Sequence, residues 1–202
     1  MDEQAREQAL LTALTTEHFV LQTSRGATIA ESVGRATVFL SFLSAALIGL
    51  GFVASNGQLI KPYLGAVLPT LVITGVLTFL RLVQNMVENS TDLRRIQRIR
   101  AYYHRQFAGE HDFFADAVAS PNADRASWAA VGARPGRWHL LLTAAAMVGA
   151  VTALLLGVGA ALLAGLFGAS SGLAITLGVV LVLVAFAAEV AYIGRASVWQ
   201  LR

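Results

Sequence analysis

Apolar and polar residues fall in long blocks along this chain. Residues 36–60 and 62–80 hold no charge, and 138–188 hold none apart from His139. A helix needs about 20 such residues to cross the hydrocarbon core of a bilayer. Two turn signals divide the blocks, Ser55-Asn56-Gly57 and Gly168-Ala-Ser-Ser-Gly172. The pattern predicts an all-α integral membrane protein with four transmembrane helices, near 36–54, 62–80, 138–167 and 173–193. The connections between the first and second spans, and between the third and fourth, are short enough to make two hairpins. Lys61-Pro62 opens the second span, with Pro62 expected in the first turn, where its missing N–H costs nothing.

The second span does not stop at Arg81. No Gly or Pro interrupts 76–108, and a heptad frame continues. Phe79, Met86, Leu93 and Phe107 share one core position; Leu82, Ile96 and Tyr103 share the other. Asn89 and Arg100 take the remaining core slots. One helix over 63–107, roughly 67 Å long, is expected, about 30 Å of it in lipid. Its cytoplasmic part needs a partner for Met86, Leu93, Ile96, Tyr103 and Phe107, either the N-terminal segment or the same helix of another subunit. Residues 1–35 form that segment. Leu10, Leu14, Leu21, Ile29 and Val33 approximate one helical face, and Gly26 and Gly34 suggest one or two amphipathic helices. Residues 81–137 make up the cytoplasmic extension and a connector, in which 110–116 reads as a short amphipathic helix. Residues 194–202 are a tail.

Composition supports the same class. The 202 residues are 56% hydrophobic and 13% charged, with a mean hydropathy of +0.63, unlike a soluble domain. There is no cysteine, which excludes disulfides, thiolate metal sites and cysteine nucleophiles. The sequence begins MDEQAREQ, without the basic start and early apolar core of a cleaved signal peptide. The net charge is only +3, but its placement is asymmetric. Segment 81–137 carries Arg81, Arg94, Arg95, Arg98, Arg100, Arg105, Arg125, Arg134 and Arg137, whereas the other two connectors carry only Lys61. By the positive-inside rule both termini and 81–137 are cytoplasmic, in a cell (inner) membrane. Arginine beside apolar runs suits lipid headgroups, and no nucleic-acid binding is expected.

Three patterns are candidates for function. In the third span Ala145, Gly149, Ala153, Gly157, Ala161 and Gly165 recur at every fourth residue, a small-residue stripe that lets helices approach closely. Thr70, Thr74 and Thr78 in the second span, with Thr37, Ser41 and Ser44 in the first, form hydroxyl stripes that would line a narrow wet path. Arg35 and Arg81 at its inner mouth would favour anions. The competing reading has these hydroxyls bonding to their own helix or across a helix contact. Glu189 is the one acid inside an apolar span; an ion pair with Arg35, Arg81, Arg137 or Arg195 at the inner interface is favoured over a proton relay.

His104, Glu110, His111, Asp112 and Asp116 crowd one stretch but match no metal-binding spacing, and a solvated face is the better reading. No phosphate loop, dinucleotide fingerprint or nucleophile elbow is present, so no cofactor, catalytic residue or metal site is expected and the chain does not read as an enzyme. The leading functional expectation is a homo-oligomeric, anion-preferring pore or channel-like protein in the lipid bilayer, with cytoplasmic helices for assembly or gating. The alternative is a non-conducting scaffold or accessory subunit that recruits a cytoplasmic protein partner through its long helix. A lipid-modifying enzyme ranks below both.

Overall fold

The computed structural model describes residues 3–107, 111–119 and 141–198. Among these residues there are helices and turns and no strand. The helices are α1 (Glu3–Val53), α2 (Gly57–Phe107), α3 (Ala115–Ala119), α4 (Ala144–Leu166) and α5 (Ser171–Val198). Four of them, α1, α2, α4 and α5, are long and apolar enough to cross a membrane by length and composition.

The first element differs from the expectation of a separate N-terminal segment. α1 is one helix of 51 residues that passes through Gly26 and Gly34 without a break. Glycine weakens a helix by about 1 kcal/mol relative to alanine. Two isolated glycines among good helix formers do not end one. α2 (Gly57–Phe107) also has 51 residues and starts at Gly57, earlier than the expected Tyr63. Asn56 caps it, its side-chain oxygen accepting from the Gln58 N–H at 3.2 Å. Pro62 therefore lies inside the helix, beyond the first turn, and Pro69 lies deeper still. Each proline removes one intrahelical hydrogen bond, to the carbonyl four residues earlier.

The third apolar helix begins later than the hydropathy suggests, at Ala144. Thr143 is its cap: its hydroxyl accepts from Ala146 N–H at 3.1 Å, with extended backbone at φ −81°, ψ 151°. Gly168 ends the helix with a positive φ of 85°, which glycine adopts without strain. The expected helix over 110–116 is instead a turn through 111–114 followed by the five residues of α3. Phe114 turns the chain there with φ 59°. Glu110, Arg125, Arg134, Arg137, Trp138, Trp199 and Arg202 lie outside the described residues.

The chain divides into two compact units. One combines Met1–Glu31 with Asn85–Arg137, and the other Ser32–Gln84 with Trp138–Arg202. In the first, α1 and α2 are antiparallel: Thr15 meets Tyr103, Leu21 meets Ile96 and Ile99, and Ser24 meets Asp92. In the second, α4 packs along α5, and α1, α2 and α4 meet where Phe39, Gly75 and Thr152 touch.

Candidate functional site

In the apolar unit, glycine decides where helices touch. A Cβ on Gly157 would lie 2.6 Å from the Gly178 carbonyl oxygen and would strike Val182. One on Gly178 would lie 2.8 Å from the Gly157 carbonyl oxygen and 3.0 Å from Ala161 Cβ. The stripe on α4 thus finds a glycine on α5, and the backbones meet there. Ala145, Gly149, Ala153 and Gly157 are buried, Ala161 is half-buried, and Gly165 is exposed with nothing near it. Gly75 does for α2 what Gly157 does for α4: a Cβ there would strike the Thr152 hydroxyl and crowd the Phe39 ring. Sequence reasoning missed Gly75, Gly178 and Thr152. Each sits alone among apolar residues, without a periodic pattern on its own helix. Thr152 is fully buried and donates to the Val148 carbonyl at 2.8 Å, so its hydroxyl is satisfied within α4.

Glu189 faces this contact zone. A Cβ on Gly149 would lie 2.7 Å from Glu189 Oε2 and 3.2 Å from the Phe79 ring, whose centroid is 6.1 Å from that of Tyr192. Oε2 is buried without a hydrogen-bond partner among the described residues. Arg81 Nη1 donates to Gln84 Oε1 at 3.4 Å. A carboxyl group lodged against Gly149, with the Phe79 ring beside the same glycine, is a costly arrangement in apolar surroundings.

Three of the stripe hydroxyls bond to their own helices. Thr70 donates to Ala66 O at 2.8 Å, Thr74 to Thr70 O at 2.7 Å and Ser44 to Leu40 O at 2.9 Å. Thr37, Ser41, Ser44 and Thr70 are exposed on the single chain; Thr74 and Thr78 are half-buried. The unit holds a cavity of about 790 Å³, but its walls are apolar, drawn from the first half of α2, the second half of α4 and Leu181, with Lys61 as their one charged residue.

The helical pair has a different interior. Its seam on α2 runs through Asn85, Asn89, Asp92, Ile96, Ile99 and Tyr103. These steps alternate four and three, so the heptad spacing holds. Asn89, Ile96 and Tyr103 belong to the expected frame; Asp92 and Ile99 replace Leu93 and Arg100 beside them. Met86 and Leu93 are half-buried, and Phe107 is 50% exposed. On α1 the inward positions are Leu14, His18, Leu21 and Arg25, whereas Leu10, Ile29 and Val33 are exposed. Polar pairs cross the seam: Ser24 donates to Asp92 at 2.9 Å, Arg25 Nε donates to Asn89 at 3.0 Å, and Thr15 and Tyr103 share a hydrogen bond of 3.0 Å. Asp92 also approaches Arg95 at 3.9 Å.

His18 lies on the same face of α1, with its Nδ1 buried and without a hydrogen-bond partner among the described residues. Burial holds its imidazole below the usual histidine range, and the Arg100 guanidinium pushes the same way. The Arg100 guanidinium lies 5.9 Å from the Phe114 ring centroid. His104 Nδ1 is 2.6 Å from the Phe113 carbonyl, which ties the 111–114 turn to α2. Among the described residues no three His, Asp or Glu side chains gather as a metal-binding group.

Fold and sites together define a class: an all-helical protein with four long apolar helices, compatible with a multi-pass membrane protein. No family model, curated protein or solved structure matches this chain.

Proposed function

We propose that this chain is a four-span membrane protein of two hairpins, with both termini cytoplasmic, and that it acts as a non-conducting scaffold or accessory subunit. Its assembly surface is the α1–α2 helical pair, through which copies of the chain associate and a cytoplasmic protein is recruited. One observation carries the reading. The pair places polar side chains in its seam and leaves large apolar ones outside, with Phe19 at 73% and Val20 at 52% exposure. A polar seam sets register at some cost in stability, and exposed apolar residues on a polar helix favour a further partner.

Liposome flux is the test. Purified protein reconstituted into ion-loaded vesicles should be silent, and Phe19→Asp should reduce oligomer size in detergent. Sustained ion current would overturn the scaffold. Topology is checked separately: a reporter fused after Arg202 should be active in the cytoplasm alone.

A pore remains the second reading, favoured by the outward-facing hydroxyls Thr37, Ser41, Ser44 and Thr70. Copies of the chain would bring those hydroxyls together around a common axis. In that case Arg81→Glu shifts the reversal potential toward cations and Thr74→Leu blocks conduction by making the path apolar.

A further inference from the structure

The glycines of the apolar unit are of two kinds. Gly75, Gly149, Gly157 and Gly178 are needed because another helix or side chain occupies the space a Cβ would fill. A Cβ on Gly65, Gly159 or Gly165 would meet nothing within 4 Å, as is also true of Gly34, Gly51, Gly172 and Gly194, which lie away from the cavity. The first three line the apolar cavity. Glycine within a helix is less favourable than alanine, and here no atom of the described residues takes the vacated space. The cavity is thereby wider than packing requires, on both facing walls.

Its shape and charge name an occupant. On α2 the wall runs from Ile60 to Val72, on one helical face. Twelve steps of 1.5 Å each make it roughly 18 Å long. One leaflet of a bilayer core is about 15 Å deep, half of the 30 Å whole. Lys61 is exposed at one end of the wall, and the rest of the lining carries no charge. A cavity with a cation at its mouth and an apolar channel of leaflet depth beneath complements a molecule with an anionic head and a long hydrocarbon tail.

We propose that this groove binds one anionic phospholipid per chain, its phosphate on the Lys61 ammonium and an acyl chain along Gly65 and Gly159. The proposal rests on the membrane reading above, in the leaflet on the side of the 54–56 turn.

Native mass spectrometry of the full chain in detergent tests it, with phosphatidylglycerol and phosphatidylcholine of the same acyl chains as probes. Phosphatidylglycerol should bind one per chain, at least tenfold tighter than phosphatidylcholine. Lys61→Gln should erase that preference and leave phosphatidylcholine binding as it was. Gly159→Leu should remove both lipids without lowering the lipid-free melting temperature, because the position faces open space. Gly65→Leu repeats this from the opposite wall if Gly159→Leu fails to fold. Equal binding of the two lipids, or lipid retained in both leucine variants, would overturn the proposal. So would disulfide cross-linking between copies through Gly65→Cys and Gly159→Cys, since a second copy would then fill the groove. Recovery of the chain in the soluble fraction of lysed cells would instead sink the membrane reading itself.

Discussion

The two units of this chain solve the same task, holding α1 and α2 among neighbours, with opposite chemistry. In the helical pair, side chains make the contact. Leu21, Ile96 and Ile99 form a small apolar centre, with Ser24–Asp92 and Arg25–Asn89 on one side and Thr15–Tyr103 on the other. In the apolar unit, glycine opens the contact: backbone meets backbone at Gly157 against Gly178, and the Gly75 backbone meets the Thr152 and Phe39 side chains. On the proposed membrane reading, the difference follows from what surrounds each region. Water rewards burying a few large apolar side chains. Lipid does not, because its tails are as apolar as leucine, so close approach of backbones supplies the attraction.

This comparison is broken most severely by Ile96→Asp. It places a charge at a fully buried position in the small apolar centre. A loss of about 4 kcal/mol or more is expected, read as loss of helical-pair protection in hydrogen exchange. Gly157→Leu follows, at about 3 kcal/mol, because the Gly178 backbone cannot move aside as a flexible side chain can. Gly165→Leu, on the same stripe, should change the melting temperature little. Equal effects at 157 and 165 would show that the stripe acts as a whole and not through one contact.

The polar seam sharpens the comparison at smaller scale. A double-mutant cycle of Arg25→Ala and Asn89→Ala should give a coupling of about 1 kcal/mol. No coupling would mean that the hydrogen bond sets direction and not stability.

The smallest effect concerns His18. Its pKa lies below the unfolded value of about 6.5 because burial and then Arg100 disfavour the imidazolium. As pH falls, the unfolded chain therefore takes up this proton before the folded pair does. The stability that His18 contributes is present above that value and is lost as pH falls through the folded pKa. Protection factors for hydrogen exchange in the helical pair, corrected for the intrinsic rate at each pH, should fall below pH 6 in the wild type, and less so in His18→Leu. Identical pH profiles would remove His18 from the account.

Much of this architecture follows from the order of residue types alone. The uncharged blocks set four long apolar helices, because length and hydropathy are properties of contiguous sequence. Heptad spacing from Phe79 to Phe107 announced that α2 continues past Arg81, and the every-fourth-residue pattern from Ala145 to Gly157 marked a buried face. What the order of residues left open is which neighbour each face meets. Gly75 and Gly178 carry no periodic signal, and only the packing of α2 on α4 and α4 on α5 makes them necessary. The seam took Asp92 and Ile99 rather than Leu93, because Ser24 and Leu21 on α1 offered partners at those positions. Gly26, Gly34 and Pro62 read as places to stop or start a helix, yet α1 and α2 pass through them. A local break costs little against the contacts that a continuous helix makes on either side. The open glycines of the Lys61 groove look in sequence like those that pack. Only the space around each one tells them apart.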